Sequence, residues 1–358
     1  MLKILHLAPQ NYAGVPYDFY KMHLACGDKS RLITYHKYQL DFPEDICLEL
    51  PLPNFQLAKI WRKQKMLKRE NIQTEYAPYF SPSNFLEKTY FHFNDWLRKP
   101  LVKRLIKQYD LDDYDIIHYD AGLDIFRNAS LAKNWKKEGK KIVCCYHGSD
   151  LRLRGVIKEL DEISDLNITS EFDHLSLKSD LEYLFYPYDP SELPSKKKEE
   201  NENVTIIHSP TNRKYKGTDL ILSVIEKIKK EKKINFILLE KLERSKVLEI
   251  KSGCDICIDQ VGGSMGGTGY GKAGLETLAM GIPTITNMVK EYVDWLPENP
   301  FVIANNADEL YTRLNELINT KDLRIELGEK GKTWVNKMHG YEQVDRRLKE
   351  LYELKNII

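Results

Sequence analysis

The sequence predicts an α/β protein built from two doubly wound, Rossmann-like domains. Short runs rich in Ile, Val and Leu recur along the 358 residues, and nearly continuous apolar runs are typical of parallel strands covered on both faces. Segments with helical spacing of apolar residues lie between most of these runs. This alternation occurs in two successive sets, and a chain of this length is expected to hold two domains rather than one core.

The predicted strands form two sets of five. The first set occupies residues 3–7, 31–35, 115–119, 141–146 and 166–169, and the second occupies 204–208, 234–239, 255–259, 283–286 and 301–304. Residues 187–203 separate the sets with three prolines and a run of charges, a pattern typical of a linker. We therefore expect domains over residues 1–188 and 189–340, followed by a C-terminal helix over 341–358. That helix carries an apolar stripe: Val344, Leu348, Leu351 and Leu354.

Other helices are predicted from the same spacing. One begins at Asp219 with Thr218 as its N-cap, a second includes Leu310 to Ile318, and a third begins near Pro100. Residues 71–96 contain eight aromatic residues without clear periodicity and are predicted to be a loop-rich excursion of the first domain. Their rings either pack inside the protein or bind a sugar or lipid acceptor.

Bulk composition indicates a globular protein without a bias toward nucleic acid. The net charge is +1, so no global field attracts nucleic acid, and no apolar run reaches the length of a transmembrane helix. The apolar stretch after Met1 is too short for a signal peptide. The six cysteines suggest buried thiols in a reducing cytoplasm. Cys254 and Cys257 lack the second pair or the nearby histidines that a zinc site usually needs.

The strongest functional signal is a glycine-rich loop between a predicted strand and a helix. Seven glycines fall between Gly262 and Gly274. Glycines let backbone N–H groups approach an anion closely, and a helix N-terminus adds a favourable dipole. The spacing differs from that of a P-loop, so a diphosphate cradle of another kind is predicted. Glu276, one turn into the helix, is placed to accept hydrogen bonds from a ribose diol.

Three further segments carry polar residues where predicted strands end. Arg213, Lys214 and Lys216 stand before Gly217 and a helix, which suits phosphate neutralisation, although a solvated basic loop is the alternative. His147 follows the strand at 141–146, where ligands bind in open α/β sheets. On its own, a histidine at this position is as often a capping or core residue as a ligand-binding one. Gly14, after the first strand, is a weak signal by itself.

Taken in their order along the chain, the four segments resemble the retaining glycosyltransferases of the GT-B fold, especially glycosyltransferase family 4. The matching elements are Gly14 after the first strand, His147-Gly148, Lys216-Gly217, and Gly271 to Pro283 with Glu276. The resemblance implies two Rossmann-like domains that face a central cleft and a C-terminal helix that crosses back to the first domain.

The resemblance also implies the reaction and its residues. A nucleoside diphosphate sugar of UDP or GDP type would bind the second domain, and a hydroxyl acceptor on a glycan or lipid-linked glycan would bind the first. A hexosyl group would be transferred with retention, without a metal or other cofactor. His147, Arg213 and Lys216 would be catalytic, and Asn11 and Asp150 would bind the acceptor. The donor would be bound by Gly14, Gly217, Thr268, Gly269, Tyr270, Gly271, Lys272, Ala273 and Glu276.

Two positions depart from the family pattern. Thr268 stands where the family has a glutamate that contacts the transferred sugar, and Thr211 stands where an arginine is frequent, with Arg213 as the stand-in. Because of Thr268, an alternative remains open, in which the chain is a non-catalytic partner subunit that binds a sugar nucleotide. An epimerase of the same fold would need several acid/base carboxylates, and no such set is evident. The acidic residues at 110–115 are predicted to form a polar turn rather than a metal site.

Two basic segments suggest a surface for membranes. Residues 59–69 and 97–109 combine Lys and Arg with apolar residues, a pattern that favours peripheral contact with an anionic bilayer, although a solvated face is the alternative. We expect the protein in the cytoplasm or at the cytosolic face of a membrane, with no nucleic-acid partner.

Overall fold

Two parallel β-sheets, each flanked by helices, organise the chain, as the sequence predicts. The computed structural model describes residues 1–38, 42–50, 76–80, 82, 85–195, 203–262 and 269–358. Residues 1–187 and 341–358 form one compact unit, and residues 188–340 form a second.

The first unit contains the larger sheet. Its strands are β1 (Lys3–Ala8), β2 (Lys29–Thr34), β3 (Ile46–Cys47), β4 (Ile116–Asp120), β5 (Lys141–Tyr146), β6 (Leu166–Thr169) and β7 (Leu181–Tyr183). They lie in the order β3-β2-β1-β4-β5-β6-β7. The five predicted strands are confirmed with small shifts at their ends. Strands β3 and β7 were not predicted, because runs of two and three residues carry no readable periodicity.

The second unit contains the smaller sheet. Its strands are β8 (Val204–His208), β9 (Ile234–Leu238), β10 (Ile256–Gln260), β11 (Thr284–Thr286) and β12 (Val302–Ile303). They lie in the order β12-β11-β10-β8-β9, and all five match predicted strands. Helices cover the sheet through apolar stripes, as predicted: Ile221, Val224, Ile225 and Ile228 of one helix are buried in a core with Ile206, Ile256 and Ile258.

The helices alternate with the strands in both units. In the first unit they are α1 (Val15–Ala25), α2 (Phe85–Tyr109), α3 (Ser130–Lys137), α4 (Lys158–Asp161), α5 (His174–Leu177) and the C-terminal α13 (Tyr341–Leu354). In the second they are α6 (Arg213–Lys216), α7 (Thr218–Glu231), α8 (Arg244–Ser252), α9 (Lys272–Ala279), α10 (Lys290–Trp295), α11 (Ala307–Asn319) and α12 (Lys321–His339). No helix in the described ranges combines the length and the hydropathy needed to cross a bilayer.

The C-terminal helix α13 is part of the first unit, where it packs on α1. Val344, Leu348 and Leu351 are buried, whereas Leu354 is 70% exposed, so the apolar stripe ends one turn earlier than predicted. The buried Tyr352 adds a polar contact, because its hydroxyl hydrogen bonds with Nε2 of His118 on β4.

The aromatic segment is a correction to the sequence prediction. Residues 85–96 are not a loop but the first half of α2, which starts well before the predicted Pro100; residues 71–75, 81, 83 and 84 lie outside the described residues. Pro100 lies inside the helix, where its missing N–H leaves one carbonyl in the preceding turn without a helical partner. Phe85, Phe93 and Trp96 are exposed, so apolar residues occupy more than one face and the helical period is hidden.

Candidate functional site

The candidate residues of each unit lie at the carboxyl ends of strands, next to the point where the strand order reverses. In the first sheet this point is between β1 and β4, and in the second it is between β8 and β10. Ligands of open parallel sheets bind outside the strands at such points. In the second unit, Lys216 follows β8, while Glu276 follows β10.

His208 anchors the loop that leads from β8 to α7. Its Nδ1 lies 2.8 Å from the Ile258 carbonyl and its Nε2 lies 2.9 Å from the Thr218 hydroxyl. Burial lowers the pKa of His208 to about 4, so the imidazole is neutral and is placed to donate from Nδ1 and accept at Nε2. Thr218 is therefore not the N-cap that was predicted. Gly217 precedes the helix instead, with a left-handed φ of 66° that favours glycine.

Lys216 is directed toward the start of α9. Its Nζ lies 2.7 Å from Oδ1 of Asp259 and 3.1 Å from Oε1 of Gln260. The second oxygen of Asp259 accepts a hydrogen bond from the Gly271 N–H at 3.2 Å. The carboxylate of Asp259 thus joins two of the groups predicted to hold the donor diphosphate. Asp259 and Gln260 were not predicted as site residues, although both are polar residues at the end of an apolar strand.

Gly274 leaves room for the carboxylate of this ion pair, and Gly271 lies close to its ammonium. A Cβ at Gly274 would lie 3.1 Å from Oδ2 of Asp259, and one at Gly271 would lie 3.4 Å from Nζ of Lys216. Thr268 lies outside the described residues. The Gly269 carbonyl accepts a hydrogen bond from the side-chain amide of Gln260.

Three predicted site residues face other partners: the donor-binding residues Tyr270 and Lys272, and the catalytic residue Arg213. The Tyr270 hydroxyl lies 2.9 Å from Nε2 of His339, and its ring stacks on Phe301 with centroids 4.6 Å apart. Lys272 lies 5.7 Å from the centre of the Tyr188 ring. Arg213 makes a two-pronged ion pair with Glu240, at 2.8 and 2.7 Å, and is half exposed. The structure therefore groups Lys216, Gly217 and Gly271, and it turns Tyr270 and Arg213 toward other side chains.

Glu276 is buried between two cations. Its Oε2 lies 3.0 Å from Nζ of Lys251, which is 1% exposed, and its Oε1 lies 3.0 Å from Nη2 of Arg244. Burial by itself would raise the pKa of Glu276, but Lys251 and Arg244 outweigh burial and lower it. Glu276 also raises the pKa of Lys251, so both groups are charged. The Ala273 carbonyl accepts a further hydrogen bond from Lys251 at 3.2 Å. Neither cation was predicted: Lys251 is buried on a helix, where a basic residue is ordinarily exposed, and Arg244 is exposed at the start of the same helix.

His147 is held by two carboxylates in the first unit. Its Nε2 lies 2.9 Å from Oδ1 of Asp120, at the end of β4. Asp150 accepts the backbone N–H groups of His147 and Gly148 at 2.9 and 2.7 Å, which closes the turn after β5. Asp120 was not predicted, although it directly follows the strand predicted at 115–119, just as His147 follows the strand at 141–146. The predicted acceptor residue Asp150 thus has both oxygens engaged by the backbone.

Asn11 and Gly14 shape the loop after β1. The buried side chain of Asn11 donates to the Pro43 carbonyl at 2.7 Å and accepts from the Tyr17 N–H at 3.2 Å. Gly14, with a φ of 75°, precedes α1, whose second residue is Pro16. Both residues therefore position the start of α1, and their predicted contacts with substrates stay predictions.

In the described ranges, neither the acidic turn nor the cysteines bring three metal-ligating groups within reach of one another. Asp113 lies in a 3-10 turn, as predicted for this segment, and pairs with Lys3 and Lys29 at 2.7 and 2.8 Å. All six cysteines are free; Cys26 and Cys47 are half-buried rather than buried as predicted. In the part of the chain that the structure describes, one cluster could offer three metal ligands, and it consists of His23, Asp28 and Asp345. The Lys349 ammonium lies 2.9 and 2.8 Å from its two carboxylates and already supplies a positive charge.

Comparisons with known proteins identify the fold. Neither a protein-family model nor a curated protein sequence matches the chain. HepE from Anabaena in complex with UDP is similar over 98% of this chain and 100% of its own, with a TM-score of 0.58 and 11% identity.

Two other solved structures are similar over nearly their whole length. The catalytic domain of starch synthase IV from Arabidopsis thaliana, bound to ADP and acarbose, matches over 99% of both chains with a TM-score of 0.60 and 12% identity. Sucrose-phosphate synthase from Thermosynechococcus elongatus matches over 98% of both chains with a TM-score of 0.54 and 13% identity. Identities this low show a likeness of fold alone. The chain therefore has the GT-B fold that these structures share.

Proposed function

We propose that the chain is a retaining glycosyltransferase. It binds a nucleoside diphosphate sugar through its second unit and transfers a hexosyl group to a hydroxyl of a glycan or lipid-linked glycan bound by its first unit. One observation carries the proposal: an ionised, buried Glu276 lies one helical turn beyond the Gly271 N–H and the Lys216 ammonium. Five residues of helix span roughly 7 Å, comparable with the separation of a ribose diol from its diphosphate.

The ligands of similar structures support this class of donor. HepE is described in complex with UDP and with UDP-glucose, and starch synthase IV is bound to ADP. All of these ligands contain a nucleoside diphosphate. In this chain, Glu276 would accept from the ribose hydroxyls at the lone pairs that Lys251 and Arg244 leave free, since a carboxylate offers about four acceptor positions.

The proposed chemistry is leaving-group stabilisation. As the bond between the sugar C1 and the phosphate oxygen breaks, negative charge develops on the diphosphate. The Lys216 ammonium and the N-terminus of α9 stabilise that charge without a metal. Arg213 breaks its solvent-accessible ion pair with Glu240 and adds its positive charge to theirs. The acceptor oxygen bonds to C1 on the face that the phosphate leaves, and its proton passes to the departing phosphate oxygen.

Binding measurements with Glu276→Gln test the donor site. By calorimetry, wild type should bind one family among UDP, GDP and ADP, and Glu276→Gln should bind it about tenfold or more weakly, because a hydrogen bond to a charged group contributes about 1.5–3 kcal/mol. Inorganic pyrophosphate, which has no ribose, should bind both proteins equally. Glu326→Gln, an exposed change on α12, is the matched control. Equal nucleotide affinity in wild type and Glu276→Gln would contradict the ribose assignment.

A turnover assay distinguishes an enzyme from the alternative that Thr268 raised, a non-catalytic partner subunit. Incubation with the donor that binds, with and without glycan acceptors, should release the nucleoside diphosphate and form an α- or β-linked product with the donor's own configuration. Nucleotide binding without transfer and without slow hydrolysis would instead favour a non-catalytic partner subunit.

Helix α2 supports the peripheral membrane contact that was predicted from residues 97–109. Phe93, Trp96 and Leu97 are 55%, 63% and 51% exposed, and the exposed Lys99 and Lys103 follow them on the same helix. The other basic segment, residues 59–69, lies outside the described residues. Trp96→Ala should weaken salt-sensitive co-sedimentation with vesicles rich in phosphatidylserine, whereas Trp295→Ala, an exposed tryptophan of the second unit, should not. Equal sedimentation of both variants would exclude α2 as the contact.

A further inference from the structure

We infer that Asp120 is a positioning residue that holds the His147 ring with its Nε2–H turned inward, so that Nδ1 is the atom presented to an oxygen of the acceptor. The nature of that ligand rests on the proposed function. The orientation of the ring rests on the first unit alone.

Strand pairing brings the two residues together. Strands β4 and β5 are parallel neighbours, and Asp120 is paired with Cys145, two residues before His147. Both side chains therefore lie at the carboxyl edge of the sheet, and Oδ1 of Asp120 is 2.9 Å from Nε2 of His147. Asp150 holds the backbone of His147 at the same time. No described residue hydrogen bonds Nδ1, which leaves this nitrogen for a ligand.

A second histidine prevents the Asp120 carboxylate from turning. Its other oxygen lies 3.2 Å from Nδ1 of His6 on β1, and both side chains are buried. The three side chains thus form a row along the edge of three adjacent strands, with His6 on β1, Asp120 at the end of β4 and His147 directly after β5. A buried carboxylate without hydrogen bonds is costly, so each histidine is expected to direct an N–H toward it. With Nε2 protonated, a neutral His147 accepts at Nδ1 and a charged one donates there.

The charges around His147 favour the charged form. The groups that face it are Asp120 on β4, Asp150 in the following turn and Glu171 after β6, while His118 on β4 opposes them. Burial lowers the pKa of His147, but the hydrogen bond and charge of Asp120 outweigh burial and raise it. Burial also holds the pKa of His118 well below its usual range, so that ring is neutral and adds little repulsion. The imidazolium therefore persists to a higher pH than in an isolated histidine, and Nδ1–H donates to the acceptor oxygen.

Nitrogen-15 NMR of the histidine rings tests the orientation without any substrate. Assigned by its loss in His147→Gln, the His147 signal of wild type should titrate above pH 6.5 and should show the Nε2–H tautomer once neutral. In Asp120→Asn, the midpoint should fall by about one pH unit or more, because an opposite charge in contact shifts a pKa by about 1–3. The control Asp165→Asn changes a carboxylate that holds the start of β5 and should leave the midpoint unchanged. An Nδ1–H tautomer in wild type would overturn the inference, and so would an unchanged midpoint in Asp120→Asn. The first result does not require Asp120→Asn to fold.

Activity measurements keep this inference separate from the proposed function. If the chain transfers sugar, the alkaline limb of the kcat profile should move to lower pH in Asp120→Asn, with kcat about a hundredfold lower and the KM of the donor unchanged. The expected spectra without any transfer would leave the role of Asp120 standing and remove the proposed function. Transfer with an unshifted pH profile would retain the glycosyltransferase and overturn the role of Asp120.

Discussion

The Lys251–Glu276 pair provides a sharp test of how charge is held in the second unit. The Lys251 ammonium is 1% exposed, lies 3.0 Å from Glu276 and, among the described residues, has one further hydrogen-bond partner, the Ala273 carbonyl. Glu276→Gln removes its counter-charge while almost preserving the shape. Because breaking a buried pair leaves an uncompensated charge, we expect the free energy of unfolding to fall by about 3–5 kcal/mol.

A double-mutant cycle distinguishes an unpaired charge from a lost contact. Lys251→Met leaves Glu276 with Arg244, and the double variant Lys251→Met/Glu276→Gln leaves neither buried charge behind. The double variant should therefore be more stable than Glu276→Gln alone, although it carries one more change. The midpoints of urea unfolding, followed by circular dichroism, measure this order. Additive losses, or a double variant less stable than Glu276→Gln, would refute the reasoning. Glu316→Gln, in a half-exposed pair with Arg313, is the control and should change little.

The difference in unfolding free energy between wild type and Glu276→Gln should depend on pH with a defined sign. The cations lower the pKa of Glu276 below its ordinary 4.5, so the folded state loses stability when this group takes up a proton. The stability difference between wild type and Glu276→Gln should be constant from about pH 5 to 8 and should shrink as the pH falls through the folded pKa. A difference that persists undiminished at pH 3 would show that the charge of Glu276 is not its source.

Further predictions concern the backbone, the thiols and the C-terminal helix. Gly217→Val should cost about 1–2 kcal/mol in thermal unfolding, because its φ of 66° is left-handed, and Gly217→Asn should cost less. Burial raises the pKa of Cys144 and Cys254 to about 12, so Ellman's reagent at pH 8 should label them only when the protein unfolds. Tyr352→Phe leaves a buried nitrogen of His118 without its partner and should destabilise the first unit by about 1–3 kcal/mol, with faster hydrogen exchange in α13.

The strands were predictable because parallel strands covered on both faces must be apolar along their whole length. This requirement marks most of β5 and β8, in spite of Lys141, Thr205 and His208, and it fails for β3, whose two residues cannot form a run. Helix α2 was predicted only from Pro100 onward, because apolar periodicity identifies a helix only when its apolar side chains share one buried face. Phe93 and Trp96 are exposed, so they break the pattern without breaking the helix.

Backbone positions of the candidate site were predictable for a related reason. A polar residue directly after an apolar run lies at the edge of the sheet whatever the order of the strands, as His147 does, and Lys216 lies in the short helix that follows β8. The partners of these residues were not predictable, because they depend on that order. Asp120 reaches His147 only because β4 and β5 are neighbours, and Asp259 reaches Lys216 only because β10 lies beside β8.

Three of the charged groups assigned to the donor site already have a partner of opposite charge within the second unit. Lys216 is paired with Asp259, Arg213 with Glu240, and Glu276 with Lys251 and Arg244. A diphosphate would therefore exchange partners rather than meet free charges, and only the difference between the two arrangements would contribute to affinity. The exchange is asymmetric, since Glu240 is exposed enough to be solvated once Arg213 leaves it, whereas Asp259 is 1% exposed and would stay near Lys216. Lys216 would then keep its position by sharing its ammonium between Asp259 and the phosphate, which preserves the geometry of the cradle at the cost of weaker ground-state binding. Such a cradle favours the transition state, where the phosphate carries more charge than in the bound donor.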